Sequence, residues 1–178
     1  MTSRRSFLKT AAVSSTAFGV ASLCSLVKAQ SPPAASSAPS APPKVPPIPS
    51  DKVKEFVIAA HGDLPRVQAL LNADAHLVNA TWDWGGGDFE TGLGGASHMG
   101  RADIAEFLLE RGARLDIFAA AMLGLKAVVL AALETNPAFL KTPGPHGIPL
   151  IAHAKAGGEK AQAVYVYLQG LAKDIPER

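Results

Sequence analysis

The sequence predicts an all-α fold, a short solenoid of three to four irregular helix pairs, and three observations carry that expectation. A short Ala-rich segment, a glycine and an amphipathic segment recur along residues 51–178. Glycines at Gly62, Gly100, Gly124 and Gly157 punctuate the copies at the turn between the two segments. The amphipathic segments have helical period. Ile104, Phe107, Leu108 and Arg111 fall at i, i+3, i+4 and i+7 and make one face, with Glu106 and Glu110 pointing elsewhere. One such hairpin cannot bury its apolar stripe alone, whereas stacked copies can.

Residues 1–29 read as an export signal. Ser3-Arg4-Arg5-Ser6-Phe7-Leu8-Lys9 resembles the twin-arginine (Tat) motif, with Arg4, Arg5, Phe7 and Leu8 at its defining positions. Thr10 to Val27 is only mildly apolar and carries six Ser/Thr residues, too polar for a permanent span. Val27-Lys28-Ala29 suits cleavage after Ala29. Leu23 before Cys24 disfavours lipidation there. The expected destination is the periplasm, with the Tat translocon as a transient partner and no stable membrane insertion after cleavage.

The segment also accounts for the formal charge of +2, because it holds four basic and no acidic side chains. The rest of the chain has 13 basic and 15 acidic side chains, a charge of −2. That near-neutral balance gives no electrostatic case for nucleic acid. The single cysteine, Cys24, lies in the same segment, so the mature chain has no disulfide, thiolate nucleophile or Cys-type zinc site. Residues 30–50 carry eight prolines with Ala and Ser, an extended linker rather than a helix or strand.

The repeats follow in order. The first is Val57–Gly62 then Leu64–Leu71, the second Gly95–Gly100 then Ile104–Ala113, and the third Ala119–Gly124 then Val128–Leu133. A weaker fourth runs from Pro149 to Gly157, then Ala163 to Leu171. Small residues let neighbouring helices approach, and each turn glycine is expected to take positive φ so that the chain reverses tightly. These blocks resemble ankyrin repeats. Leu108-Leu109-Glu110-Arg111-Gly112-Ala113 matches that family's helix ending. Thr91, Leu93, Ala96 and Gly100 match parts of its start, as do Gly147, Pro149, Leu150, Ala154 and Gly157. The resemblance implies a mostly non-enzymatic, partner-binding stack over about residues 52–171. The glycine spacings of 38, 24 and 33 depart from it, since only the last equals the 33-residue period. The first interval implies an enlarged finger before the second repeat, and the second interval a finger missing before the third.

The enlarged finger holds the most unusual stretch, Thr81 to Thr91, with both tryptophans, three consecutive glycines and three acids. Trp82, Asp83, Trp84, Asp88, Phe89 and Glu90, with His98, are the candidate partner-binding residues, because aromatic anchors dominate binding hot spots. Alternatively Trp82 and Trp84 cover the core while the glycines turn the chain. Phosphate-loop and nucleophile-elbow readings fail: no G-K-[ST] follows, and Gly95-Ala96-Ser97-His98-Met99 lacks the last glycine. No histidines are spaced i, i+4. A metal site of His98 with Asp83, Asp88 or Glu90 requires the loop to fold back onto the helix at 95–99. The expected task of His98 is instead to cap or satisfy loop backbone.

The leading expectation is therefore a monomeric, non-catalytic periplasmic interaction module that binds another protein, with no metal, no cofactor and no catalytic residue. The alternative is a small-ligand-binding or hydrolytic protein using a polar pocket around 82–90 and His98. Convergence of Asp83, Asp88, Glu90 and His98 within hydrogen-bond reach favours the pocket; splaying over a convex surface eliminates it.

Overall fold

The computed structural model describes residues 45–173. The twin-arginine motif, the cleavage site and most of the proline-rich linker lie outside the described residues. Among the described residues, eight α-helices and one two-stranded hairpin follow in chain order. The helices form four pairs: α1 (Ser50–Ala60) with α2 (Leu64–Ala73), α3 (Gly92–His98) with α4 (Ala102–Glu110), α5 (Ile117–Met122) with α6 (Lys126–Thr135), and α7 (Leu150–Ala156) with α8 (Gln162–Lys173). The first helices pack α1 on α3, α3 on α5 and α5 on α7, and α7 packs on α3 as well, so the fourth pair touches both the second and the third; each first helix also packs on its own partner. No helix among the described residues is long and apolar enough to cross a membrane.

Local sequence sets the helix starts. Asp63, Thr91 and Asp116 each accept a backbone N–H from three residues ahead, at Arg66, Gly94 and Ala119. The predicted face of α4 is apolar as expected. Ile104 and Leu108 are fully buried, Phe107 is half-buried, and Arg111 stays exposed while its guanidinium lies 4.6 Å from the Phe107 ring centre. Burial of α3 and α5 is nearly total: Ala119, Ala120, Ala121 and Met122 of α5 have no exposed surface. Small residues there allow close contacts with the neighbouring helices, α3, α6 and α7.

Two of the four turn glycines depart from the expected positive φ. Gly100 and Gly124 have φ of 67° and 72°, but Gly62 and Gly157 do not lie in that region. After α7 the left-handed residue is Gly158, at φ 60°, one position late. Gly157 is needed for space instead, since a Cβ there would collide with the Met122 carbonyl of α5.

The stretch that reads as a loop is a β-hairpin. β1 (Thr81–Asp83) pairs antiparallel with β2 (Phe89–Thr91), placing Trp82 opposite Glu90. Gly85, Gly86 and Gly87 close it with φ of 122°, 67° and 87°, which side-chain-bearing residues seldom adopt. Between α4 and α5 residues 111–116 hold no strand, so the third pair has no finger. The turn before α7 reaches the hairpin, where Asp88 accepts from the His146 backbone N–H at 2.9 Å.

One buried histidine belongs to the core. His153 of α7 has no exposed surface and stacks on Phe118, with ring centroids 4.9 Å apart. Its Nδ1–H donates to the Pro149 carbonyl at 3.1 Å, while Nε2 has no protein partner. Burial pushes its pKa below the ordinary 6.5. The folded state therefore holds it neutral where the unfolded chain takes up a proton. Its contribution to stability is complete above about pH 6.5 and is lost as pH falls from there toward the folded pKa. His153→Phe is expected to remove that loss. In chelator-containing buffer, the wild-type-minus-variant difference in unfolding free energy should grow in the wild type's favour from pH 5 to pH 7; a constant difference would exclude His153 as a source of acid sensitivity.

Candidate functional site

Four side chains from separate parts of the chain converge beside the hairpin. His61 follows α1, Glu90 is in β2, His98 ends α3, and His146 lies in the turn before α7. One ligand-capable atom from each lies within 4.8 Å of all the others. His98 Nε2 is 3.0 Å from Glu90 Oε1 and 3.1 Å from His61 Nε2. His61 Nε2 and His146 Nε2 are each 3.4 Å from Glu90 Oε2. A tetrahedral cation with bonds of about 2.0–2.1 Å needs ligand–ligand edges of about 3.3–3.4 Å. With Glu90 Oε2 as the carboxylate vertex, its edges to His61 and His146 and the His61–His98 edge are near that spacing, and one donor atom from each of the four residues lies within 4.8 Å of the others.

The local sequence explains each placement. α3 contains glycines at 92, 94 and 95, a composition that costs a helix about 1 kcal/mol per residue relative to alanine. At each, α3 makes room for a neighbour. A Cβ on Gly95 would sit 2.8 Å from the His61 ring, one on Gly92 would sit 2.7 Å from Phe56, and one on Gly94 would meet Glu90 and Pro145. Gly95→Ala should therefore strengthen α3 as a helix yet push His61 off its seat. The expected outcome is a marked loss of affinity for a metal bound by these histidines, read by calorimetry. Unchanged affinity would show that His61 does not need its position against α3.

The outer contacts orient the inner ones. His61 Nδ1–H donates to the Val57 carbonyl at 2.9 Å, in the last turn of α1. Asp88 grips His146 twice, accepting its backbone N–H and its ring Nδ1–H, both at 2.9 Å. His146 is held at φ 58°, the left-handed region, and is the one non-glycine residue there among those described. Such a conformation costs about 1–3 kcal/mol and persists where its surroundings impose it. The Trp84 indole N–H donates to Glu90 Oε2 at 2.8 Å. Glu90 is 1% exposed. Burial raises its pKa, but the hydrogen bonds from His98 and Trp84 and the neighbouring imidazoles outweigh that and hold the carboxyl below its ordinary 4.5.

These contacts fix the tautomers and create a conflict. Nδ1 of His61 and of His146 each faces an acceptor and so carries a proton. In the neutral rings, both Nε2 atoms then turn bare lone pairs toward a carboxylate. His98 Nε2 has one proton for two neighbours, Glu90 and His61. Protonating every Nε2 would crowd three imidazolium rings, with centroids 4.8 to 6.5 Å apart, around a single buried carboxylate. One cation at the centre removes the conflict with all three rings neutral. Two helices also direct their C-termini here, and that end of a helix favours positive charge.

The residues singled out in the sequence divide accordingly. Glu90 and His98 meet, Asp88 joins through His146, and Trp84 joins through its N–H. Asp83 does not: its carboxylate accepts the Gly85 N–H at 2.8 Å. Trp82 packs against the first core cluster under Lys54, as core cover. Phe89 projects outward, 61% exposed. The expected task of His98, satisfying loop backbone, is overturned, since its partners are side chains. Sequence reasoning misses His61 and His146 as site residues. The available signal is register. His61 lies one residue and His98 two residues before the turn glycine of its pair, so stacking α1 on α3 brings them close together. No family model, curated protein or solved structure matches this chain.

Proposed function

We propose that this chain is an exported metal-binding protein, an ankyrin-type stack that holds one transition-metal ion among its first, second and fourth repeats through His61, Glu90, His98 and His146. The observation that carries the reading is the pair of imidazoles, each with its Nδ1 held by an acceptor, whose Nε2 atoms face one buried carboxylate. Three imidazoles and one carboxylate suit zinc, copper(II), nickel or iron(II), and do not suit calcium or magnesium, which take oxygen donors. The second contacts match those of metal histidines, whose far ring N–H is held by a carboxylate or backbone carbonyl. Export by the twin-arginine route fits this reading, because imidazole and carboxylate ligands need no thiol in an oxidising compartment.

Zinc titrated into metal-stripped full-length protein is expected to bind saturably at one ion per chain and to raise the melting temperature. At free zinc about 100 times Kd the added stability is about 2.7 kcal/mol. Excess calcium should not compete. Absence of saturable one-to-one binding would sink the proposal.

A second reading rests on Phe89, a large apolar side chain 61% exposed on the hairpin. It supports a protein partner docking on the finger, compatible with a metal that stiffens the same hairpin. Capture from periplasmic extract should then be lost in Phe89→Ala while zinc binding persists. Equal capture by both proteins counts against a docking role for the finger.

A further inference from the structure

We infer that the metal, if held as proposed above, keeps one coordination position open to solvent and binds a small anionic donor there, between His61 and His146 and against Trp84. The ligand sphere is lopsided. The side chains of Glu90 and His98 are 0% and 9% exposed, whereas those of His61 and His146 are 25% and 32% exposed. The same two exposed rings are the most widely separated, 6.5 Å between centroids against 4.8 Å for His61–His98 and 5.4 Å for His98–His146. One side of the cluster is thus sealed by the hairpin and α3, and the opposite side parts toward water.

Protein groups that could close that side are committed elsewhere. Both Asp88 oxygens are taken by His146, and Asp83 accepts from Gly85. What borders the opening is Trp84, whose ring centre lies 6.3 Å from that of His61 and 5.7 Å from that of His146. Its N–H bond to Glu90 fixes the indole in place, so it forms a wall and not a plug. Four protein donors alone make a closed tetrahedral centre, so the open position is a fifth one, reached by expansion to five-coordination on the side where His61 and His146 part.

Charge selects the class of ligand. A divalent ion with three neutral imidazoles and one carboxylate has a net charge of +1, and the opening adds no further cation of its own. A small oxygen- or nitrogen-donor anion, such as hydroxide, azide or a short carboxylate, neutralises it.

This inference rests on the metal reading, and cobalt(II) separates the two. Full-length protein loaded with cobalt is titrated with sodium azide against sodium chloride at matched ionic strength, following the visible absorption of the metal. The expected result is a saturable change in band position and intensity with azide, at one azide per cobalt. If cobalt binds and its spectrum is indifferent to azide, the sphere is closed, the open position is overturned and the metal reading stands. If cobalt does not bind, both fall together.

Discussion

His98→Ala is expected to abolish tight zinc binding, whereas Asp88→Asn should weaken it about 10–100-fold, or about 1.4–2.8 kcal/mol. The two differ because of where each group acts. His98 offers its Nε2 directly to the centre, 3.0 Å from the buried Glu90 carboxylate. Asp88 acts through another residue, holding the His146 ring and backbone from behind. Asparagine keeps an acceptor oxygen there but loses the charge that raises imidazole basicity. His146→Asn is a useful third variant, because asparagine tolerates the left-handed backbone and removes only the imidazole. It should bind as weakly as His98→Ala without disturbing the turn. Asp83→Asn, whose acid lies outside the cluster, should bind like wild type. Competition against a chelator gives the affinities, and thermal melts in excess chelator report folding separately. Equal zinc affinity across all four variants would mean that the metal, if any, lies elsewhere.

The fold is largely legible in the residues, and the site only in part, for a physical reason. Helix pairs are local objects. The Ala-rich segment, the glycine and the apolar stripe of Ile104, Phe107 and Leu108 all lie close together in the chain, so their spacing places α3 and α4 directly. Glu90, Asp88, Trp84 and His98 are also within reach, because an acidic, tryptophan-rich stretch just ahead of a histidine stands out in the sequence. The other half of the site depends on distance along the chain. His61 meets His98 across 37 residues and His146 meets Asp88 across 58. The first contact follows from packing α1 on α3, and the second from the fourth pair, whose α7 packs on α3 as well as on α5. The short 24-residue glycine spacing is legible in the sequence, but the place where the turn at 144–147 meets the hairpin is not. Glycines mislead for the same reason. Gly157 reads as a turn residue from its sequence neighbours, while its real constraint is a carbonyl on α5.

Gly157→Ala should accordingly be among the most damaging single-methyl changes in the described residues, costing about 3 kcal/mol, near the upper end for backbone strain and overpacking. Its φ of −69° would suit alanine, so no dihedral penalty is involved. The obstacle is that the new Cβ would meet the Met122 carbonyl and lie 2.7 Å from the Ala161 Cβ. Gly124 makes the reciprocal contact, its would-be Cβ meeting the Lys160 carbonyl. Backbone therefore meets backbone between the third and fourth pairs, and neither side can yield as a flexible side chain would. Gly170 supplies the opposite case. It lies inside α8, and a Cβ added there would have nothing within 4 Å. Gly170→Ala should stabilise the protein by about 0.5–1 kcal/mol through helix propensity. Chemical denaturation in chelator would measure both, and similar effects of the two alanines would refute the interlock. A further consequence follows for the site. The fourth pair carries the turn that presents His146, so prying it from the third should also lower zinc affinity in Gly157→Ala. Gly170→Ala, whose added Cβ would touch nothing, should leave that affinity unchanged.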